Sequence, residues 1–135
     1  MPKIITEHQG YMLFATEVGE HVIETDLPLS MGGADRAPTS LLQFAASLSA
    51  CTATFVASYC QQAGISLDGM RVELEWQMAE GPLRMTDLAL RIVLPEGEVG
   101  PRAEAVRRAA ELCPVCNTMR SFDGVAITIA DRTTT

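Results

Sequence analysis

Between Arg71 and Met78 the chain alternates strictly, with Val72, Leu74, Trp76 and Met78 on one side and Arg71, Glu73, Glu75 and Gln77 on the other. A period of two is the mark of a half-buried strand. A Glu80-Gly81-Pro82 turn leads to Leu88, Leu90, Ile92 and Leu94, again spaced by two, which predicts a partner strand. Nearer the N-terminus, Tyr11–Val18 and His21–Thr25 flank a Gly19-Glu20 turn and predict a β-hairpin. Pro28 to Pro38, with Gly32-Gly33 at its middle, reads as a loop. After Asp123-Gly124, the residues Val125, Ile127 and Ile129 predict a last strand.

Two stretches follow the helical period instead. Thr39 or Ser40 is placed to cap a long helix that Gly64 ends. Phe44, Leu48, Cys51 and Phe55 form one stripe along it, and Leu41, Ala45 and Val56 much of another face. Pro101 opens a second helix at its favoured first position, running to Leu112 with Val106, Ala109, Ala110 and Cys113 on one face. The order ββ-α-ββ-α-β is an α+β plan in a single domain over residues 1–135. A surface helix would be polar on its far side. The long helix is apolar round most of its circumference, so it is expected to be buried on both sides, at the centre of a homodimer. The Thr133-Thr134-Thr135 tail is expected to fray.

Composition removes several function classes. The chain has 135 residues, 47% hydrophobic and 20% charged, values of a globular domain able to bury a core. A net charge of −7, with no Lys/Arg cluster to offset it, argues against nucleic acid, whose phosphates would be repelled. From Thr39 to Ala63 no residue is charged, a stretch long enough to span a bilayer, but Ser, Thr and Gln recur evenly along it. That is too polar for a lipid-facing span, so no membrane partner is expected. The start, Met1-Pro2-Lys3 and then Ile4-Ile5-Thr6-Glu7, shows no signal peptide, and the expected location is the cytoplasm. In that reducing compartment four cysteines are more often free, catalytic or metal-bound than disulfide-linked.

Those cysteines are the candidate chemistry. Cys51 lies mid-helix, and Cys113-Pro114-Val115-Cys116 follows much later in the chain, beyond the second pair of strands. Cys60 is nine positions beyond Cys51, on nearly the opposite face and roughly 13 Å along the axis. A disulfide needs Cα atoms within about 7 Å, so these two do not pair, and Cys60 is expected to fill the core. Cys51 and Cys113 both sit on buried faces, which permits their meeting without requiring it. The C-x-x-C form invites a thioredoxin comparison, but that motif wants a strand before it and here a helix precedes it. A zinc site lacks a second pair of ligands, since His8 and His21 lie far off in the N-terminal segment on no ligand spacing.

The run from Gly32 through Pro38-Thr39-Ser40-Leu41-Leu42 to Ala50-Cys51-Thr52-Ala53 resembles the start of the central helix of the OsmC/Ohr family. Cys113-Pro114-Val115-Cys116-Asn117-Thr118-Met119 looks like that family's second signature. The two come in the family's order and separation, and the resemblance covers most of the chain. It implies an intertwined homodimer in which two sheets enclose the long central helices. It also implies a thiol peroxidase acting on organic hydroperoxides without cofactor or metal. By resemblance Cys51 is the peroxidatic thiolate and Cys113 the resolving thiol. Cys51 would become a sulfenic acid and then condense with Cys113 to a disulfide that an external dithiol reduces.

The chain also departs from that pattern. Peroxidase members carry an arginine in the N-terminal strands and a glutamate near the start of the central helix. Here no Arg precedes Arg36, and the glutamate position falls at about Leu42. Arg36, in the loop before the helix, is the candidate replacement if it folds over Cys51. Cys116 is an additional thiol, able to resolve Cys51 in place of Cys113 or to shuttle the disulfide outward. Two classes stay open: a two-cysteine peroxidase, or a non-catalytic dimer binding a small lipophilic ligand in an apolar cleft between subunits.

Overall fold

Three strands, not two, precede the long helix. The computed structural model describes residues 2–95 and 99–132, so the Thr133–Thr135 tail lies outside the described residues. β1 (Ile5–Gly10) runs antiparallel to β2 (Leu13–Val18), which pairs with β3 (His21–Thr25). The β2–β3 hairpin matches the sequence expectation, and Gly19 at φ 62° gives its two-residue turn the left-handed first position that primed turns require. β1 is absent from the alternation because its residues are mostly polar and almost wholly exposed. Cross-strand pairs hold it: the Thr6 and Thr16 hydroxyls meet at 2.9 Å, and the His8 ring lies 5.3 Å from that of Phe14.

Beyond β3 a loop is folded around one carboxylate. Asp26 is buried and accepts N–H bonds from Leu27 at 2.7 Å, Arg36 at 3.1 Å and Ala34 at 3.4 Å. The Arg36 guanidinium closes the arrangement at 3.5 Å. A Cβ on Gly33 would stand 1.9 Å from the Leu27 carbonyl oxygen, so only glycine passes here. The expected loop is thus present, though fastened by a residue that lies outside it.

α1 (Ser40–Ala63) begins where the cap predicts, Thr39 accepting the Leu42 N–H at 3.3 Å, and ends at Gly64 in the left-handed region at φ 73°. Its buried stripe is Ala45, Leu48, Thr52, Val56 and Cys60, rotated from the expected one. Leu48 is common to both, Cys51 and Phe55 flank the buried stripe, and Phe44 is exposed. By length and composition alone α1 could cross a membrane, and in the single chain only 22% of its apolar window is buried.

β4 (Arg71–Ala79) and β5 (Arg84–Val93) form a separate two-stranded antiparallel sheet. Its register shifts between Glu75 and Gln77, where β5 carries an extra residue at Asp87, φ 55°. That bulge interrupts the strict alternation, and Met78 ends up exposed. Ile65 and Leu94 join Val56, Cys60 and Val106 in the core, so Cys60 is a core residue as expected.

Two expected elements change. The helix expected from Pro101 to Leu112 is a 3-10 turn at Gly100–Arg102 followed by α2 (Ala103–Ala110), and beyond it stands a further helix, α3 (Pro114–Arg120), that the sequence reading lacks. The break falls at Cys113, whose backbone (φ −56°, ψ 118°) has left the helical region. Pro114 is the cause: its ring disfavours a helical conformation in the residue before it and sits naturally at the first position of a new helix. The expected strand at Val125–Ile129 is not formed. Val125, Ile127 and Ile129 are 73%, 83% and 92% exposed, because a strand needs an edge to pair with and this segment lies against none. The order is βββ-α-ββ-α-α, still α+β, with two small sheets.

Candidate functional site: a three-thiol cluster

The break at Pro114 builds the site. It puts Cys113 at the cap of α3 and turns its sulfur towards α1, where Cys51 stands beside the buried stripe. The Cys51 and Cys113 thiols interact directly, although the whole second sheet and α2 separate them in sequence. Cys116, in the first turn of α3, also reaches Cys113. Three of the four cysteines therefore meet, and Cys60 is the one left in the core.

The proton between Cys51 and Cys113 is not shared evenly. Burial pushes Cys113 up, since its side chain is fully enclosed, but the groups facing it favour the anion and lower it overall. They are the Cys51 thiol, the N–H groups of Cys116 and Val115, and the Thr52 hydroxyl. Those N–H groups face the sulfur without closing a capping bond at the start of α3. Cys51 is raised, first by its hydrogen bond to Cys113 and then by burial, with the Val115 N–H opposing. The two thiols titrate as a pair in which the anion is favoured on Cys113 over Cys51. Cys116 is raised, by burial first and by the neighbouring Cys113 charge next, with Arg120 opposing.

A model of the OsmC-like protein family matches residues 32–129, a span that holds α1, the second sheet and all three clustered thiols. The chain belongs to the OsmC-like family. Solved structures agree in fold. An osmotic stress induced and detoxification response protein from Psychrobacter arcticus 273-4 superposes with a TM-score of 0.76 at 22% identity, over 87% of this chain and 88% of that one. An OsmC-like protein from Mycoplasma pneumoniae gives 0.70 at 15%, over 89% and 87%. An organic hydroperoxide resistance protein from Legionella pneumophila gives 0.57 at 24%, over 90% and 91%. No curated protein matches.

Around the cluster, this OsmC-like chain differs from the sequence expectation in two ways. Arg36 is turned to the buried Asp26, a full carboxylate and so a stronger partner than a thiol, while the groups acting on Cys51 are Cys113, burial and the Val115 N–H. Thr52 is a site residue that the sequence reading misses: it is fully buried, donates to the Leu48 carbonyl at 3.0 Å and reaches Cys113. Its signal is a hydroxyl four positions after Leu48 on the buried stripe. An apolar cleft of about 300 Å³ opens between β5 and the α2–α3 segment, lined by Ile92, Val106 and Ala110 and carrying Arg107, Arg120 and Cys116 at its polar side. His8 and His21 stay in the N-terminal sheet, His8 bonded to the Tyr11 carbonyl at 2.7 Å.

Proposed function

We propose that this chain is a thiol-dependent peroxidase that reduces organic hydroperoxides through a Cys51 sulfenic acid and a Cys51–Cys113 disulfide. The observation that carries this is the direct Cys51–Cys113 contact, in which the less buried Cys51 faces a thiol that ionises more readily than itself. Cys113 takes the Cys51 proton as the Cys51 sulfur attacks the terminal peroxide oxygen. The O–O bond breaks and the alcohol leaves, taking a proton from water. Cys113 then attacks the Cys51 sulfenic sulfur and expels water, so one hydroperoxide, one thiol and one thiolate give one alcohol, one disulfide and one hydroxide. The neighbouring thiolate thereby does the deprotonation that an arginine would favour electrostatically. The similar Legionella protein, named for organic hydroperoxide resistance, supports the substrate class.

The active form in this proposal is a homodimer in the cytoplasm, reduced by an external dithiol. Support for the dimer comes from apolar surface that a single chain leaves open: Leu41, Leu42 and Phe44 on α1, Val22 on β3, and the Val125–Ile129 segment. Sedimentation equilibrium showing a monomer at micromolar concentration would remove it.

Stopped-flow reaction of the reduced protein with cumene hydroperoxide tests the chemistry. We expect consumption far faster than by free cysteine, one equivalent per chain, with loss in Cys51→Ser. Reaction no faster than free cysteine sinks the peroxidase. A second class is favoured by one observation, the apolar cleft beside Cys116: a non-catalytic dimer that binds a small lipophilic ligand. Under that reading the cleft lies within each chain rather than between subunits, and an inert Cys51 would accompany it.

A further inference from the structure

Cys113 has no exposed surface, so a disulfide formed there is closed to a reductant on that side. Cys51 stands on α1 next to the apolar faces that a second chain would cover. Cys116 differs from both. It interacts with Cys113 and also lines the cleft that opens between β5 and α2–α3. Among the described residues, Cys116 is the clustered thiol that both meets the buried pair and lines this cleft.

We propose that Cys116 is the exit thiol of this site: it takes over Cys113 from the Cys51–Cys113 disulfide and presents a Cys113–Cys116 disulfide to the reductant in the cleft. The inference rests on the Cys51–Cys113 pairing proposed above. The Cys116 sulfur attacks the Cys113 sulfur, the bond to Cys51 breaks, and Cys51 leaves with the electron pair and takes up the proton Cys116 lost. One disulfide replaces another, with no change in oxidation state and no outside oxidant. An external dithiol then reduces Cys113–Cys116 by the same exchange, becoming a disulfide itself.

The geometry suits the step. Cys113 caps α3 and Cys116 lies three positions on. Cys113, non-helical at the cap, and Cys116, in the first turn, already interact side chain to side chain, near enough for a disulfide to close with a small movement of the helix start. The electrostatics change in the right direction as well. In the reduced protein the charge and hydrogen bond of Cys113 hold Cys116 in its protonated, unreactive form, after burial. Once Cys113 is in a disulfide that charge is gone, and what remains is burial opposed by Arg120. Forming the disulfide thus removes one of the groups that keep Cys116 protonated and leaves Arg120 to favour its anion against burial.

The two linkages are distinguishable after tryptic digestion. Cys51 lies in the fragment 37–71, and Cys113 and Cys116 share the fragment 109–120. A Cys51–Cys113 bond cross-links the fragments, whereas a Cys113–Cys116 bond loops the second internally. The reduced protein is oxidised with one equivalent of cumene hydroperoxide, or in parallel with diamide, quenched at intervals and mapped. We expect the cross-linked pair first and its conversion to the looped fragment. Cys116→Ser should stop at the cross-linked pair, which dithiothreitol reduces about tenfold more slowly than the wild-type disulfide. Wild-type protein that stays cross-linked with Cys116 open to alkylation overturns the relay. So does a looped fragment that forms without the cross-linked precursor, and so does diamide oxidation that yields no disulfide within the cluster. If hydroperoxide fails but diamide gives the conversion, the peroxidase falls and the relay stands. The wild-type time course does not depend on the variant folding.

Discussion

The N-terminal sheet and the helical half that follows are held together by different means. In β1–β3 the backbone ladders run the length of the strands apart from a shift between His8 and Gly10, but β1 and β3 expose nearly every residue and Leu13 is the one buried hydrophobic side chain. In the second half α1, β4, β5 and α2 close on Val56, Cys60, Ile65, Leu94 and Val106. Small sheets with no packed face are marginal in water. The difference teaches where this chain is self-sufficient. The three thiols sit in the half that makes its own core, and the sheet leaves apolar side chains such as Val22 and Ile23 exposed.

Substitution in the two halves should separate these roles most strongly. Ile65→Ala, in the core, is expected to cost about 2–5 kcal/mol by urea denaturation, independent of protein concentration. Ile23→Ala should cost less, with a penalty that grows on dilution because it weakens an interface rather than a core. Equal, concentration-independent losses would break the comparison. The loop joining the halves comes next. Gly33→Ala drives a methyl into the Leu27 carbonyl and should lose more than about 1 kcal/mol in the same assay, since backbone cannot yield as a side-chain tip would.

Smaller effects follow from charge. The Arg36 N–H, then those of Leu27 and Ala34, hold the Asp26 carboxyl below its ordinary value against burial. Its folded value is below the unfolded one of about 3.9, so its stabilisation is complete above that pH and lost as pH falls through the folded value. Asp26→Asn should therefore be less stable than wild type at neutral pH and flatten the acid limb of a urea-midpoint profile. Smallest is the thiolate. Absorbance near 240 nm should show Cys113 ionising below the ordinary thiol value of about 8.5, and Cys51→Ala, by removing a donor, should raise that midpoint. Thr52→Val should move it the same way by less. A midpoint unmoved by either change would separate the anion from the cluster.

What could be foreseen followed the strength of local signals. Strict alternation identified β4 and its partner, and Thr39 and Gly64 marked both ends of α1 because caps are local chemistry. β1 escaped because cross-strand pairs, not an apolar face, hold it. The Val125–Ile129 pattern is that of a strand, but pairing needs an edge, and composition cannot supply one. The expected second helix stopped just short of Pro114, and α3 beyond it escaped because its short run Pro114–Arg120 carries no sustained apolar period. Leu48 belongs to both the predicted stripe and the buried one, while Thr52 was hidden by its neighbour Cys51, which drew the chemical interest.

Residue types, caps and periodicity by themselves determined the α+β plan, the span of the central helix, the core position of Cys60 and the set of thiols worth pairing. Each of those depends on neighbours close by in the chain. Only the packing of α1 against the α2–α3 break decided that Cys51 and Cys113 touch, that Cys116 links them to a cleft, and that Cys113 ionises more readily than Cys51. Contacts and ionisation depend on distance in space and on the donors gathered round a sulfur. The long stretch of chain between Cys51 and Cys113 leaves both unspecified until the fold closes.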